Sequence, residues 1–179
     1  INVVAIGHAP KGCIKRRSAA KVGDIIAVTG KLGASSKGLV DIMFGDMDTP
    51  AARHHRIAQA RIAEGEWLGR RKEVGAMMDI SDGIASDIKH IMELSKVGAE
   101  IELKAIPTDY DIRYATTGGE DYELLLTVAE EEFESLSEEF FTATGTRLTA
   151  IGRITDTGEL RWMEEGNPSE IELKGFTHF

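Results

Sequence analysis

Apolar positions in this chain recur at two spacings, and the switches between them mark out the elements. Residues 2–8 (Asn-Val-Val-Ala-Ile-Gly-His) and 24–29 (Asp-Ile-Ile-Ala-Val-Thr) are β-branched, flanked by glycine, and predict buried strands. A short helix is expected over 35–44 and a break over 45–50. A second helix is expected over 51–72, where Ile57, Ala60, Ala63, Trp67 and Leu68 fall at helical spacing with Arg and Glu opposite. Residues 74–80 read as a strand and 83–96 as a helix ended by Gly98. In that helix Ile84, Ile88, Ile91, Met92 and Ser95 line one side, and Asp87, Lys89 and Glu93 face elsewhere. A strand over 99–103 leads to Ile106-Pro107, and a Gly-Gly turn at 118–119 precedes a strand over 122–128 and an acidic helix over 130–141. Strands at 147–154, 160–163 and 171–174 then follow, joined by turns around Asp156-Thr157-Gly158 and Gly166-Asn167-Pro168. There is no internal repeat and no linker rich enough to divide the chain, so the expectation is a single α+β domain over 1–179.

Composition narrows the class of partner. With 179 residues, 42% apolar and 28% charged, the chain can bury its own core, and no apolar run approaches the roughly 20 residues a membrane helix needs. The 21 Lys and Arg against 30 Asp and Glu give a formal charge of −9, which repels nucleic acid and anionic lipid; neither is expected as a partner. Four of the cations, Lys11, Lys15, Arg16 and Arg17, are crowded into one loop, which reads either as a solvated surface or as a contact for phosphate oxygens. The single cysteine, Cys13, excludes an internal disulfide and every CxxC pattern and fits a reducing, cytoplasmic location. The chain opens at Ile1 within an apolar stretch and reads as part of a longer protein, with 1–8 as the end of, or the linker from, an amino-terminal domain.

Two acidic motifs carry the candidate chemistry. In Met77-Met78-Asp79-Ile80-Ser81-Asp82-Gly83 a hydrophobic strand ends in two carboxylates just before a helix. One reading makes Ser81 or Asp82 an N-cap with Asp79 in solvent. The other has Asp79 and Asp82 hold Mg²⁺ while the N–H groups of the following helix receive phosphate oxygens. In Thr116-Thr117-Gly118-Gly119-Glu120-Asp121-Tyr122-Glu123 the glycines permit close backbone approach. Three acids in four positions cannot all sit comfortably on a buried strand, so one or more must meet water, a metal or a cation. A polar hairpin turn is the plainer alternative. His54 and His55 are adjacent on a predicted helix, so they point apart and cannot jointly hold one metal.

The run Asp79-Ile80-Ser81-Asp82-Gly83-Ile84-Ala85-Ser86-Asp87-Ile88, then Gly98-Ala99-Glu100-Ile101, then Gly118-Gly119-Glu120-Asp121-Tyr122-Glu123-Leu124-Leu125, closely resembles the carboxy-terminal domain of the thiamine-monophosphate kinase family. The likeness extends upstream through Pro10-Lys11-Gly12 and residues 17–24 and downstream through Ile151-Gly152 to the terminal Gly175-Phe176-Thr177-His178-Phe179. It implies a mixed β-sheet packed with α-helices, as in aminoimidazole ribonucleotide synthetase-like proteins. The implied reaction is ATP- and Mg²⁺-dependent phosphorylation of thiamine monophosphate to thiamine diphosphate, by a full-length homodimer whose amino-terminal domain supplies the rest of the site.

By motif position the resemblance makes Asp79 and Asp82 metal ligands, Ser81 and Arg17 contacts for ATP, and Glu120 and Phe176 contacts for the thiamine moiety; it assigns no covalent or general-base residue. A carboxylate and an aromatic face suit a cationic substrate, and metal-bound carboxylates with an arginine suit a loose phosphoryl transition state. The chain departs from the family pattern at Cys13, at Ala58 and Ala60 where prolines are usual, and in a shortened connection over 109–115. Two other readings remain: a sibling ATP-using enzyme of the same superfamily, and a noncatalytic binding or assembly domain.

Overall fold

Alternation within the central strands decides the layers. The computed structural model describes residues 4, 6–171 and 173. Its elements in chain order are β1 (Ile25–Thr29), α1 (Ala34–Met43), α2 (Pro50–Arg56), α3 (Ile62–Gly69), β2 (Val74–Asp79), α4 (Ile84–Ser95), β3 (Gly98–Glu102), α5 (Ile112–Thr117), β4 (Leu124–Val128), α6 (Phe133–Thr144), β5 (Leu148–Thr155), β6 (Leu160–Glu164) and β7 (Asn167–Pro168). The strands form one sheet in the order β2-β4-β1-β5-β3-β6-β7. Its pairings are antiparallel except for β3 with β6, so the sheet is mixed and the α+β expectation holds.

Both faces of the central strands are covered, which is why β1 and β4 read as near-continuous apolar runs. Ile26 and Val28 of β1 and Leu125 of β4 join Ile84, Ile88 and Ile91 of α4 on one face. Ala27 of β1 and Leu126 and Val128 of β4 meet Leu68 of α3 and Leu136 and Phe140 of α6 on the other. Burying each of these large side chains contributes about 1.5–3 kcal/mol. Together they fix the register that places the ends of β2 and β4 side by side.

Four expectations need correction. The helix expected over 51–72 is two helices, because the chain leaves the α conformation at Ile57 (φ −136°, ψ 77°) and resumes at Ile62. In the gap Arg61 turns inward to a buried carboxylate, while Ile57 is 75% exposed and lies outside the core. Second, the N-terminal strand is not found in the part of 2–8 that is described: Val4 and Ile6 are exposed and belong to no strand. Third, Ile171 and Leu173 pack on the core without forming a strand, and residues 172 and 174 lie outside the described residues. Fourth, Lys96 takes the left-handed turn after α4, and Gly98 begins β3. The 109–115 connection contains α5, capped by the Asp111 side chain, which accepts from the Arg113 N–H.

The break between α2 and α3 makes a test. Ile57→Ser is expected to change stability by no more than about 0.5 kcal/mol, whereas Leu68→Ala should cost about 2–5 kcal/mol. Urea unfolding of the two variants checks this; a large loss from Ile57→Ser would restore the continuous helix.

Candidate functional site

The two acidic motifs are one structure. The Ile80 N–H donates to the Glu123 carbonyl at 2.8 Å, the Tyr122 N–H to the Ile80 carbonyl at 3.0 Å, and the Glu120 N–H to the Ser81 carbonyl at 2.8 Å. The β2–β4 pairing thus continues past both strand ends and draws 79–83 against 118–123. Glycine is required at the contact: a Cβ on Gly119 would lie 2.2 Å from the Ser81 carbonyl oxygen. On the opposing strand-to-helix turn Gly83 adopts φ +91°, with a Cβ there 2.7 Å from the Gly118 carbonyl oxygen.

The three acids in four positions resolve into three different fates. Glu123 is buried and meets Arg61 in a two-pronged pair, Nε to Oε2 at 2.8 Å and Nη2 to Oε1 at 2.5 Å, with the Thr29 hydroxyl donating to Oε2 at 2.6 Å. The Glu123 carboxylate raises the affinity of the Arg61 guanidinium for its proton. Asp121 is also buried and accepts from two N–H groups at the start of α1, Gly33 at 2.7 Å and Ser35 at 3.0 Å. It therefore caps that helix from a distant part of the chain, and burial pushes its carboxyl above the usual range. Glu120 is left exposed, with φ +66°, and Tyr122 has φ +52°. Left-handed backbone at non-glycine residues costs on the order of 1–3 kcal/mol each and persists only where the surroundings impose it. Here the backbone bonds to Ile80 and Ser81 impose it, and the result is an exposed carboxylate just ahead of two that are locked in.

A fourth acid, Asp87 of α4, belongs to the same contact. Asp87 does not face solvent; it is 1% exposed, and its Oδ2 accepts from the N–H groups of Ser81 and Asp82, each at 3.0 Å. Burial pushes its carboxyl up to about 6. The N-cap of α4 is Gly83, so neither Ser81 nor Asp82 stands at the N-cap position. Asp87 thus occupies the N–H groups of Ser81 and Asp82, which precede α4.

A cleft of about 650 Å³ opens beside the joined motifs, and Ser81, Asp82 and Glu120 all line it, together with Ser35, His55 and Tyr122. Asp79 and Arg17 line a separate concavity of about 590 Å³ with Lys15 and Met77. Thus the structure gathers three of the six sequence-derived site residues in one cleft and two in another; Phe176 lies outside the described residues. Lys15 is a tether of the basic loop, its Nζ donating to the carbonyls of Arg71 at 2.5 Å and Val74 at 2.9 Å.

Among the described residues no three His, Cys, Asp or Glu side chains gather around a metal-sized position. The donor chemistry at Asp79 and Asp82 nevertheless fits Mg²⁺, which takes hard oxygen ligands and keeps several waters or phosphate oxygens beside one or two carboxylates. The residues that sequence reasoning set aside are His54 and His55. Their rings diverge, as adjacency requires, yet both reach the acidic motif: His54 Nε2 lies 4.0 Å from Asp121 Oδ1, and His55 Nδ1 lies 3.7 Å from Glu120 Oε2 and 2.9 Å from Ser35 Oγ. The basic last turn of α2 was the available signal.

The two buried aspartates predict different responses to the same substitution. Asp121 uses both oxygens as acceptors, so Asp121→Asn sets an amide N–H₂ against a backbone N–H and should cost about 1–3 kcal/mol. Asp87 uses one oxygen for both N–H groups, which an asparagine carbonyl can replace, so Asp87→Asn should cost less. Thermal unfolding of both variants decides; equal losses would contradict this acceptor geometry.

No helix among the described residues is long and apolar enough to cross a membrane. The chain is 35% identical to thiamine-monophosphate kinase of Escherichia coli (strain K12) over 97% of its own length and 58% of that protein's. It therefore spans a little over half the length of such relatives. Among solved structures, thiamine-monophosphate kinase from Stenotrophomonas maltophilia K279a matches with a TM-score of 0.75 at 26% identity, over 90% of this chain and 56% of that one. A structure of AaThiL complexed with AMPPCP and TMP matches with a TM-score of 0.73 at 30% identity, over 91% of this chain and 53% of that one. The family model for the AIR synthase related protein, C-terminal domain, matches residues 21–163, and with these residues forming most of the sheet, both helical layers and the joined acidic motifs, the chain belongs to that family.

Proposed function

We propose that the chain forms the carboxy-terminal part of an ATP- and Mg²⁺-dependent kinase that phosphorylates thiamine monophosphate to thiamine diphosphate. The observation that carries this reading is the cleft in which an outward carboxylate, Glu120, stands beside Ser81 and Asp82. Similarity to thiamine-monophosphate kinases over 97% of the chain supports it, and so does the likeness to a structure bound to AMPPCP and TMP.

In this reading Glu120 holds the cationic thiamine moiety, with Phe176 as its aromatic partner. Ser81 contacts ATP, and Arg17 meets its phosphates from the neighbouring concavity. Asp79 and Asp82 hold Mg²⁺, which when bound neutralises charge on the transferring phosphoryl group. A phosphate oxygen of thiamine monophosphate forms a bond to the γ-phosphorus of ATP as the bond from that phosphorus to the β–γ bridging oxygen breaks, and ADP leaves. The attacking oxygen is already anionic, so no side chain has to remove a proton. What the chain's residues contribute is position and charge. Also part of the proposal are residues 1–179 as one carboxy-terminal domain with 1–8 leading from an ATP-binding domain, a homodimeric full-length protein, and a cytoplasmic location in keeping with a single cysteine.

The test uses the complete gene product with Mg·ATP. Thiamine monophosphate should stimulate ADP release and appear as thiamine diphosphate. Asp82→Asn should lower the rate by about a hundredfold or more, the scale of losing one preorganised charge-stabilising group. Stimulation by formylglycinamidine ribonucleotide alone would transfer the chain to a sibling ATP enzyme. No stimulation of an intact, folded protein by either would favour a binding or assembly domain.

A further inference from the structure

We infer that His55 is the positioning residue for the Glu120 carboxylate and thereby sets the affinity of the cleft for the cationic part of its substrate; this rests on the thiamine monophosphate reading above. Two consecutive histidines at the end of α2 match two consecutive acids, His54 facing Asp121 and His55 facing Glu120. The contacts close a circuit. Asp121 holds the Ser35 N–H, the Ser35 hydroxyl is 2.9 Å from His55 Nδ1, His55 Nδ1 is 3.7 Å from Glu120, and Glu120 is joined to Asp121 by a peptide bond. Ser35 is fully buried, so it anchors the ring from the inside, and His55 itself lines the cleft.

Glu120 needs such a support. Its side chain is 58% exposed, its backbone is left-handed, and His55 is the one Lys, Arg or His side chain within 4.0 Å of its carboxylate among the described residues. At 3.7 Å the ring stands against the carboxylate beyond hydrogen-bonding distance, which confines it while leaving its oxygens open to a ligand. Without the ring, the carboxylate has more rotamers to lose on binding, a cost paid in substrate affinity and not in the phosphoryl step.

The experiment compares His55→Ala, His55→Asn and His55→Gln in the complete gene product. His55→Ala should raise KM for thiamine monophosphate about tenfold with kcat and the KM for ATP changed less than about twofold, the pattern of lost uniform binding. An asparagine amide overlays Nδ1 and a glutamine amide overlays Nε2, so Asn should restore KM and Gln should not. An unchanged KM in His55→Ala, equal losses in kcat and kcat/KM, or rescue by Gln as full as by Asn would each overturn the inference. If the parent protein makes no thiamine diphosphate, the functional reading falls and the pairing is judged by ¹⁵N NMR of the His55 ring. Glu120→Gln should then move its Nδ1 resonance, and an unmoved resonance would overturn the pairing.

Discussion

The site depends on one close approach between backbones. Where Gly119 meets the Ser81 carbonyl there is no room for a side-chain carbon, and the hydrogen bonds on either side carry the β2–β4 ladder beyond its strands. That contact turns two acidic stretches about forty residues apart into a single wall. It also imposes left-handed backbone on Glu120 and Tyr122, so strain at the surface is the counterpart of the packing beneath it.

Charge is distributed by the same arrangement. Asp121 and Glu123 point inward, one capping α1 and the other paired with Arg61, and their partners come from segments that strand periodicity alone could not bring in. Asp87 holds the opposite side of the contact by accepting two N–H groups from the turn that carries Asp82. Three buried carboxylates thus fix the frame, and of the acids in 120–123 Glu120 is the one left exposed. An acidic cleft of this kind is where the proposed reading puts a metal ion and a cationic substrate.

Much of this was legible in sequence, for definable reasons. Strands with two buried faces and a helix with a clean apolar stripe, such as Ile84, Ile88 and Ile91, announce themselves because local pattern and tertiary environment agree. The acidic motifs were visible as acids too crowded for solvent-free burial. What was hidden depends on long-range partners. Asp87 lies where the helical pattern predicts exposure, and only the neighbouring turn, with two N–H groups to satisfy, explains its burial. The helix break at Ile57 follows from Arg61 reaching Glu123, sixty-two positions away. Adjacency keeps His54 and His55 from sharing one metal, and the same divergence lets each meet a different acid.

The most direct measurement is a crystal structure of the complete gene product with Mg²⁺, AMPPCP and thiamine monophosphate. The account predicts the thiamine moiety in the cleft against Glu120, with a metal ion held by Asp79 and Asp82. Thiamine monophosphate bound away from Glu120, or metal held without either aspartate, would contradict it.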